Sequence, residues 1–324
     1  MSKFELKKIE RKNERDYKKW KNGLKDFIGS TIFHDPDFLS YHGAKFEEYH
    51  LGVFKGEELF GILPLAIAES ENGKLAKSPY GASYGGFVFK AILNYSDSKE
   101  IVEKFIEFTK DLNMNSIAIT PSLPVYHESY SDTFIFALLE QGFNAVNSDI
   151  TSIVYFNSSD TENTIFTSRA RNMARKARKA NVKFETDCNI DDFWVLMEKT
   201  FEKHGTNPTH TKEELAFLQN IFPNDIYFNI AYIDNTPVAG MGVFNINQLC
   251  SMSFYLCSDS EFQNTQALTL VVYESILAAQ SKGFRYFDFG TSSVNMVGRE
   301  NIFRFKESFG AVGQFRHTYT LEIK

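Results

Sequence analysis

From Ile226 to Ile233 the chain is almost continuously apolar, breaks at Asp234-Asn235, and resumes from Val238 to Phe244. Short apolar runs bounded by turn residues predict strands, so this stretch reads as a hairpin. Asn245 to Gln248 is a second turn, leading into a strand over Leu249–Cys257. Helical spacing of apolar residues predicts helices over roughly Ile190–Lys203 and Thr211–Ile221, and a long one from about Thr265. That helix ends at Gly283, a residue that tolerates the left-handed conformation of a helix stop. A strand at Arg285–Phe289, a helix over Glu300–Phe309 and a last strand ending near Ile323 complete the second half.

The first half repeats this order. His50–Leu65 (HLGVFKGEELFGILPL) parallels Asn229–Phe244 (NIAYIDNTPVAGMGVF): apolar strand, polar turn, then a strand carrying Gly61 or Gly240. Thr133–Val146 (TFIFALLEQGFNAV) parallels Asn301–Gln314 (NIFRFKESFGAVGQ): a short helix stopped at Gly142 or Gly310, then a strand. Two matched segments in one order are better explained by tandem duplication than by chance. The NSSDTEN stretch reads as a linker, giving domains at 1–156 and 157–324. Hairpins beside helix-connected strands make a mixed α/β arrangement. No GxGxxG or GxxxxGK[ST] occurs, so phosphate-cradling nucleotide folds have no support.

Length and composition fit this picture. The chain has 324 residues, 43% of them hydrophobic, with 32 Phe and 15 Tyr, enough for two sizeable cores. Three cysteines (Cys188, Cys250, Cys257), with no C-x-x-C pair, argue against a zinc site or disulfide framework. The highly charged start and the lack of a long apolar run predict a soluble cytoplasmic protein without a membrane span. The seven histidines show no HExxH or paired spacing, so no metal site is expected. Nothing in the sequence indicates oligomeric state.

One segment departs from the net charge of -6. RARNMARKARKANVKF (Arg169–Phe184) holds seven Lys or Arg, leaving -13 for the remainder. A body this acidic excludes general DNA affinity. On a helical wheel Ala170, Met173, Ala174, Ala177 and Ala180 share one face, opposite Arg171, Arg175, Arg178 and Lys179. Ser168 is the expected N-cap and Asn181 the expected left-handed stop. Two uses remain open: a solvated face on a closely packed helix, or, through Arg171, Arg175 and Arg178, a grip on the phosphates of a tRNA.

Phe287–Gly310 (FDFGTSSVNMVGRENIFRFKESFG) is the most specific stretch. With the tandem layout, the basic helix and Thr31–Leu39 (TIFHDPDFL), it resembles the FemAB-like branch of the GNAT acyltransferase superfamily. The shared features are a strand ending in Asp288-Phe289-Gly290, a short loop, and the helical Phe305-Lys306-Glu307-Ser308-Phe309-Gly310. A kinase also uses Asp-Phe-Gly, but its Gly-rich loop, strand lysine and His-Arg-Asp loop are missing. The resemblance implies an α/β fold of mixed sheets built as two tandem GNAT-like domains. It implies acyl or aminoacyl transfer to an amine of a small molecule or peptide, with the active cleft in the C-terminal half. The donor co-substrate would be an acyl-CoA or an aminoacyl-tRNA, with no permanently bound cofactor. Transfer onto a cell-wall-type precursor, and a non-catalytic ligand-binding module, are the alternatives.

The resemblance also assigns candidate residues. Lys306 would lie by the donor's charged end; otherwise it is an exposed helical lysine. Asp288 would orient a base or bind the amine; otherwise it caps its own loop. Tyr255 donates a proton or packs. A CoA site usually presents two glycines at the start of the helix after the splayed strand; here Gln263, Thr265, Gln266 and Ala267 occupy that place. Side chains there, with Asp259 and Glu261, obstruct and repel a diphosphate, and Thr265 alternatively caps the helix. Arg299 could pair with a substrate anion. Tyr80, Gly81, Tyr84 and Gly85 form an expected acceptor-site wall, or only a bulged turn. His42 stands in PDFLSYHG, where cell-wall members carry a lysine, which weakens that acceptor.

Overall fold

The computed structural model describes residues 3–11 and 13–323. The chain divides into two compact units: Met1–Ser148 with Phe315–Lys324, and Asp149–Gln314.

The first unit begins with β1 (Glu5–Lys8), α1 (Glu14–Gly23), α2 (Pro36–Leu39) and β2 (Glu47–Glu48). It continues through β3 (Leu51–Lys55), β4 (Glu58–Leu63), β5 (Ala66–Ser70), β6 (Gly73–Ser78) and β7 (Val88–Phe89). Then come α3 (Tyr95–Asp111), β8 (Ser116–Ile119), α4 (Thr133–Glu140) and β9 (Asn144–Tyr155), which runs on into the second unit. Strands β1-β3-β4-β7 form one sheet; β8, β6, β5 and β2 lie in that order in another. Leu51, Val53, Ile101, Phe105 and Ile117 are buried at the centre of its core.

The second unit contains α5 (Thr161–Thr164), α6 (Ser168–Lys179), β10 (Lys183–Glu185), α7 (Ile190–His204) and α8 (Lys212–Ile221). There follow β11 (Ile226–Ile233), β12 (Thr236–Asn245), β13 (Cys250–Ser258), α9 (Ala267–Ser281) and β14 (Tyr286–Thr291). A small hairpin, β15 (Ser293–Val294) and β16 (Val297–Gly298), precedes α10 (Glu300–Glu307) and β17 (Val312–Glu322). The sheet order is β10-β11-β12-β13-β14-β9. β11, β12 and β13 are antiparallel neighbours, whereas β14 joins β13 in parallel after the α9 crossover.

The expected division at 157 differs from these units in two ways. The stretch read as a linker lies inside the second unit and contributes α5, capped by Asp160, whose side chain accepts from the Asn163 N–H. The end of β17 belongs to the first unit, where Tyr319–Glu322 pair with β8. Strand pairing is non-local, so composition gave no sign of it.

Helix α6 is capped by Thr167, one residue before the expected Ser168. Asn181 adopts the expected left-handed conformation, with φ 57°. Ala170, Ala174 and Ala177 are buried, and these small side chains let α6 pack closely on α9. Ala180, placed on the same face by the wheel, is exposed because the helix has ended at Lys179.

Candidate active site

Strand β13 holds two neighbours, but unequally. It pairs with β12 along most of its length, from Ser251 to Ser258. Its register with β14 covers only Cys250↔Tyr286, Ser251↔Phe287 and Met252↔Asp288. Beyond those pairs the two strands part. The ladder with β12 steps from Gly242↔Tyr255 to Val243↔Ser253 and skips Phe254, a bulge in β13 that accompanies the separation; bulges of this kind bend a strand and raise its twist. The result is an opening in the sheet, bounded by Phe254–Ser258 on one side and the end of β14 on the other.

The β14 margin is tied down by two charged side chains. Asp288 is fully buried; its Oδ1 accepts from the Thr151 hydroxyl (2.7 Å) and from the Gly290 N–H (2.6 Å). Lys306, on the buried face of α10, donates from Nζ to the carbonyls of Gly290 (2.8 Å) and Thr291 (2.7 Å). One turn is therefore gripped at its N–H by a carboxylate and at its carbonyls by an amine. Gly290 itself has φ 73°, a conformation glycine adopts at little cost. Lys306 is only 5% exposed, and burial pulls its pKa down to about 8, against the raising effect of Asp288. The exposed helical lysine considered from the sequence is thus corrected: the amine is inside.

Asp288 does cap its own loop, through Gly290, as one of its two expectations had it, and does so beside Lys306. Tyr255 faces elsewhere. Its ring meets Phe201 of α7 edge-on at 6.3 Å, and its hydroxyl lies 2.7 Å from His210 Nδ1 and accepts from the His210 N–H at 3.3 Å. Burial pushes the phenol up to about 12, so it stays protonated at neutral pH. His210 was not legible as its partner, because it precedes the Thr211 capping box of α8 and shows no motif spacing. Thr151, the partner of Asp288, was likewise missed.

The start of α9 is more self-satisfied than a diphosphate site requires. The Thr265 hydroxyl donates to the Phe262 carbonyl (2.6 Å) and accepts from the Ala267 N–H (3.3 Å). The Gln266 N–H goes to Gln263 O (3.3 Å), and its side-chain amide reaches the same carbonyl. Gln266 nevertheless has φ 64°, the left-handed conformation that a glycine would supply at this place. Asp259 is paired with Lys199, which offsets one of the two repelling acids.

The remaining candidates separate. Arg299 is exposed at the N-cap of α10, with no side-chain capping bond. Arg171 donates to the carbonyls of Glu162 and Phe166. Arg178 donates to Glu274 Oε1 (2.6 Å) and lies over the Tyr273 ring. Arg175 reaches Asn172 Oδ1 (2.9 Å) within its own helix. Two of the three arginines are thus committed to α5 and α9 rather than presented together.

In the first unit the expected acceptor wall is a packed turn. Tyr80 and Tyr84 are buried, and the Tyr80 hydroxyl donates to Glu48 Oε1 at 3.2 Å. Gly81 has φ 54°, and a Cβ there would lie 1.7 Å from the His42 ring. The Gly85 N–H donates to Thr120 O (2.9 Å), and its missing Cβ leaves room for Ser78 Oγ. The glycines admit the protein's own His42 and Ser78. Among the described residues no helix is long and apolar enough to cross a membrane, and no group of three metal-ligating side chains occurs.

Residues 166–307, which include the opening, match the model of an acetyltransferase (GNAT) domain. No curated protein matches the sequence. Among solved structures, FemX superposes with a TM-score of 0.71 at 14% identity, covering 98% of this chain and 97% of that one. The C-terminal domain of a putative lysylphosphatidylglycerol synthetase from Agrobacterium fabrum gives 0.64 at 9% identity, covering 95% and 92%. A tandem GNAT protein from the clavulanic acid biosynthesis pathway gives 0.55 at 9%, covering 99% of both chains.

Proposed function

We propose that this chain, an acyltransferase of tandem GNAT fold similar to the FemAB-like branch, transfers an acyl or aminoacyl group to an amine in the β13–β14 opening of its second unit. The observation that carries the reading is Lys306, a buried amine tuned to about 8 and held at the edge of that opening.

The chemistry follows from hydrogen-bond capacity. A neutral lysine has two N–H donors and one lone pair. Both donors are used by the Gly290 and Thr291 carbonyls, so the lone pair is what remains for a proton. The acceptor amine attacks the acyl carbonyl, forming the C–N bond as the C–S or C–O bond to the donor breaks. Lys306 takes the amine proton and returns one to the departing sulfur or oxygen. General base work of this kind is best served by a pKa near the working pH. Peptide groups of Tyr255–Ser258, which keep ladder partners on β12 alone, offer donors for the carbonyl oxygen as it gains charge.

For the donor we favour an acyl-CoA, because Gln266 adopts the left-handed conformation that a glycine would supply at this place and because Arg171 and Arg178 are committed internally. An aminoacyl-tRNA donor draws support from the cations left outward on α6, Arg175, Lys176 and Lys179. The test is mass spectrometry of purified protein incubated with mixed acyl-CoAs, charged tRNA and amine acceptors. New amide product from one donor class assigns it; none from either class overturns the proposal.

A further inference from the structure

The first unit contains its own version of the parting of strands, and it has become apolar. In the second unit β13 alone pairs antiparallel with β12 and parallel with β14. In the first unit those tasks are divided. β6 runs parallel to β8, from Leu75↔Ser116 to Ser78↔Ile119, and β7 pairs antiparallel with β4. Between them the chain stays beside β8 as far as the Gly85↔Pro121 bridge, then leaves it.

A cavity of about 90 Å³ lies at this divergence. Phe87 and Phe89 line it from the departing strand, Ile119 from β8, and Phe134, Ile135 and Leu138 from the region of α4. Left-handed residues fix the correspondence between the units. Asn113 (φ 54°) precedes β8 as Gly283 (φ 89°) precedes β14, and Gly142 (φ 93°) follows α4 as Gly310 (φ 75°) follows α10. Counting from these, Ala118 stands where the second unit has Asp288, and Leu138 where it has Lys306. The two charged groups that grip the β14 turn are replaced by a methyl and an isobutyl group, and of these the Leu138 side chain lines the cavity.

The electrostatics point the same way. Among the described residues no Lys, Arg, Asp or Glu lines the cavity. His127, its one titratable imidazole, lies 3.1 Å from Ser122 Oγ, and burial pulls it down to about 4, so it is neutral at pH 7. The start of α3 is closed by its own cap, since Asn94 Oδ1 accepts from the Asp97 N–H (2.9 Å). An anion would find no counter-charge here. Ile92, half exposed at the rim, extends the apolar lining outward.

From this cavity and its matched replacements we infer that the first unit is a binding site for a small, uncharged alkyl or aryl group. It is separate from the transfer chemistry proposed for the second unit. The probe is fluorobenzene, neutral and small enough for a cavity of this volume, titrated into the full chain at pH 7 and followed by 19F NMR. Hexanol should displace it at least about tenfold better than hexanoate, because burying the carboxylate is costly. Ile135→Trp, which fills the cavity, should weaken probe binding by about tenfold or more, a change of about 1.4 kcal/mol. Ile92→Asp, at an exposed position that leaves the core intact, should weaken it in the same direction and carries the test if the larger side chain impairs folding. No saturable binding, equal displacement by hexanoate, or binding unchanged in the folded variants would overturn the inference.

Discussion

Replacing Lys306 by Met removes an amine and leaves its volume almost unchanged. Two carbonyls, that of half-buried Gly290 and that of exposed Thr291, lose their donor. An unsatisfied buried group costs about 1–3 kcal/mol, so about 6 kcal/mol is the ceiling for the two together, and the exposure of Thr291 lowers it. Against this, the native amine is destabilised by its own burial. Its pKa falls from 10.5 to about 8. At about 1.4 kcal/mol per pH unit, that is a penalty of about 3 kcal/mol for the charged form, and Lys306→Met abolishes it. The net loss at pH 7 should therefore not exceed about 3 kcal/mol, a fall in Tm of about 10 °C or less for a unit of this size. The pH dependence is a second, independent reading. Because the folded pKa is depressed, the unfolded chain binds the extra proton between pH 8 and 10.5, and stability rises with pH across that window. Wild type should gain about 3 kcal/mol relative to Lys306→Met over the window, and nothing below it. Urea unfolding of both proteins at several pH values measures this, and the transfer assay measures turnover. Loss of most turnover in a folded variant supports the base; full turnover refutes it, and a flat stability difference refutes the burial argument.

Gln266→Gly should raise Tm, since a left-handed residue with a Cβ is strained by about 1–2 kcal/mol. If the donor is an acyl-CoA, the same change should lower its KM by opening the backbone to the diphosphate; an unchanged KM counts against that donor. Arg175→Gln with Lys176→Gln and Lys179→Gln tests the other donor. Affinity for charged tRNA should fall, and the slope of log affinity against log salt should flatten by up to about 0.9 for each phosphate that is no longer neutralised. A flat salt response in the unaltered chain would dismiss tRNA. Gly81→Ala places a Cβ at 1.7 Å from His42 in a left-handed conformation, so the first unit should lose about 3 kcal/mol or more, read as a fall in its unfolding midpoint. A Tm unchanged from wild type would show that His42 moves freely.

The second unit was legible because its signals are local. Ile226–Ile233 appears with the bounds read from its apolar run, and α7 with its expected start at Ile190. Asn181 and Gly283 stop helices as residue chemistry requires. What stayed hidden depends on neighbours distant in sequence. Glycine and tyrosine in SPYGASYGGF suggest ligand access, but which neighbour a glycine admits is decided by the fold, and here it is His42. Lysine on a short helix is ordinarily solvated; only the placement of α10 against the end of β14 buries Lys306. The cavity of the first unit gave no signal at all, because apolar residues that line a space and apolar residues that fill one look alike in a sequence.

The return of Phe315–Ile323 to the first unit bears on how the protein is made. Tyr319 is part of that unit's core, and its strand pairs with β8, some 200 residues earlier in the chain. Domains usually complete folding in the order of their synthesis. Here the first unit must wait, with one edge of β8 unpaired, while all of the second unit is translated. An unpaired strand edge invites association with other chains. The period of greatest risk for this protein is therefore set by translation speed across residues 149–314, and a stop codon near residue 314 would spoil the unit that was made first.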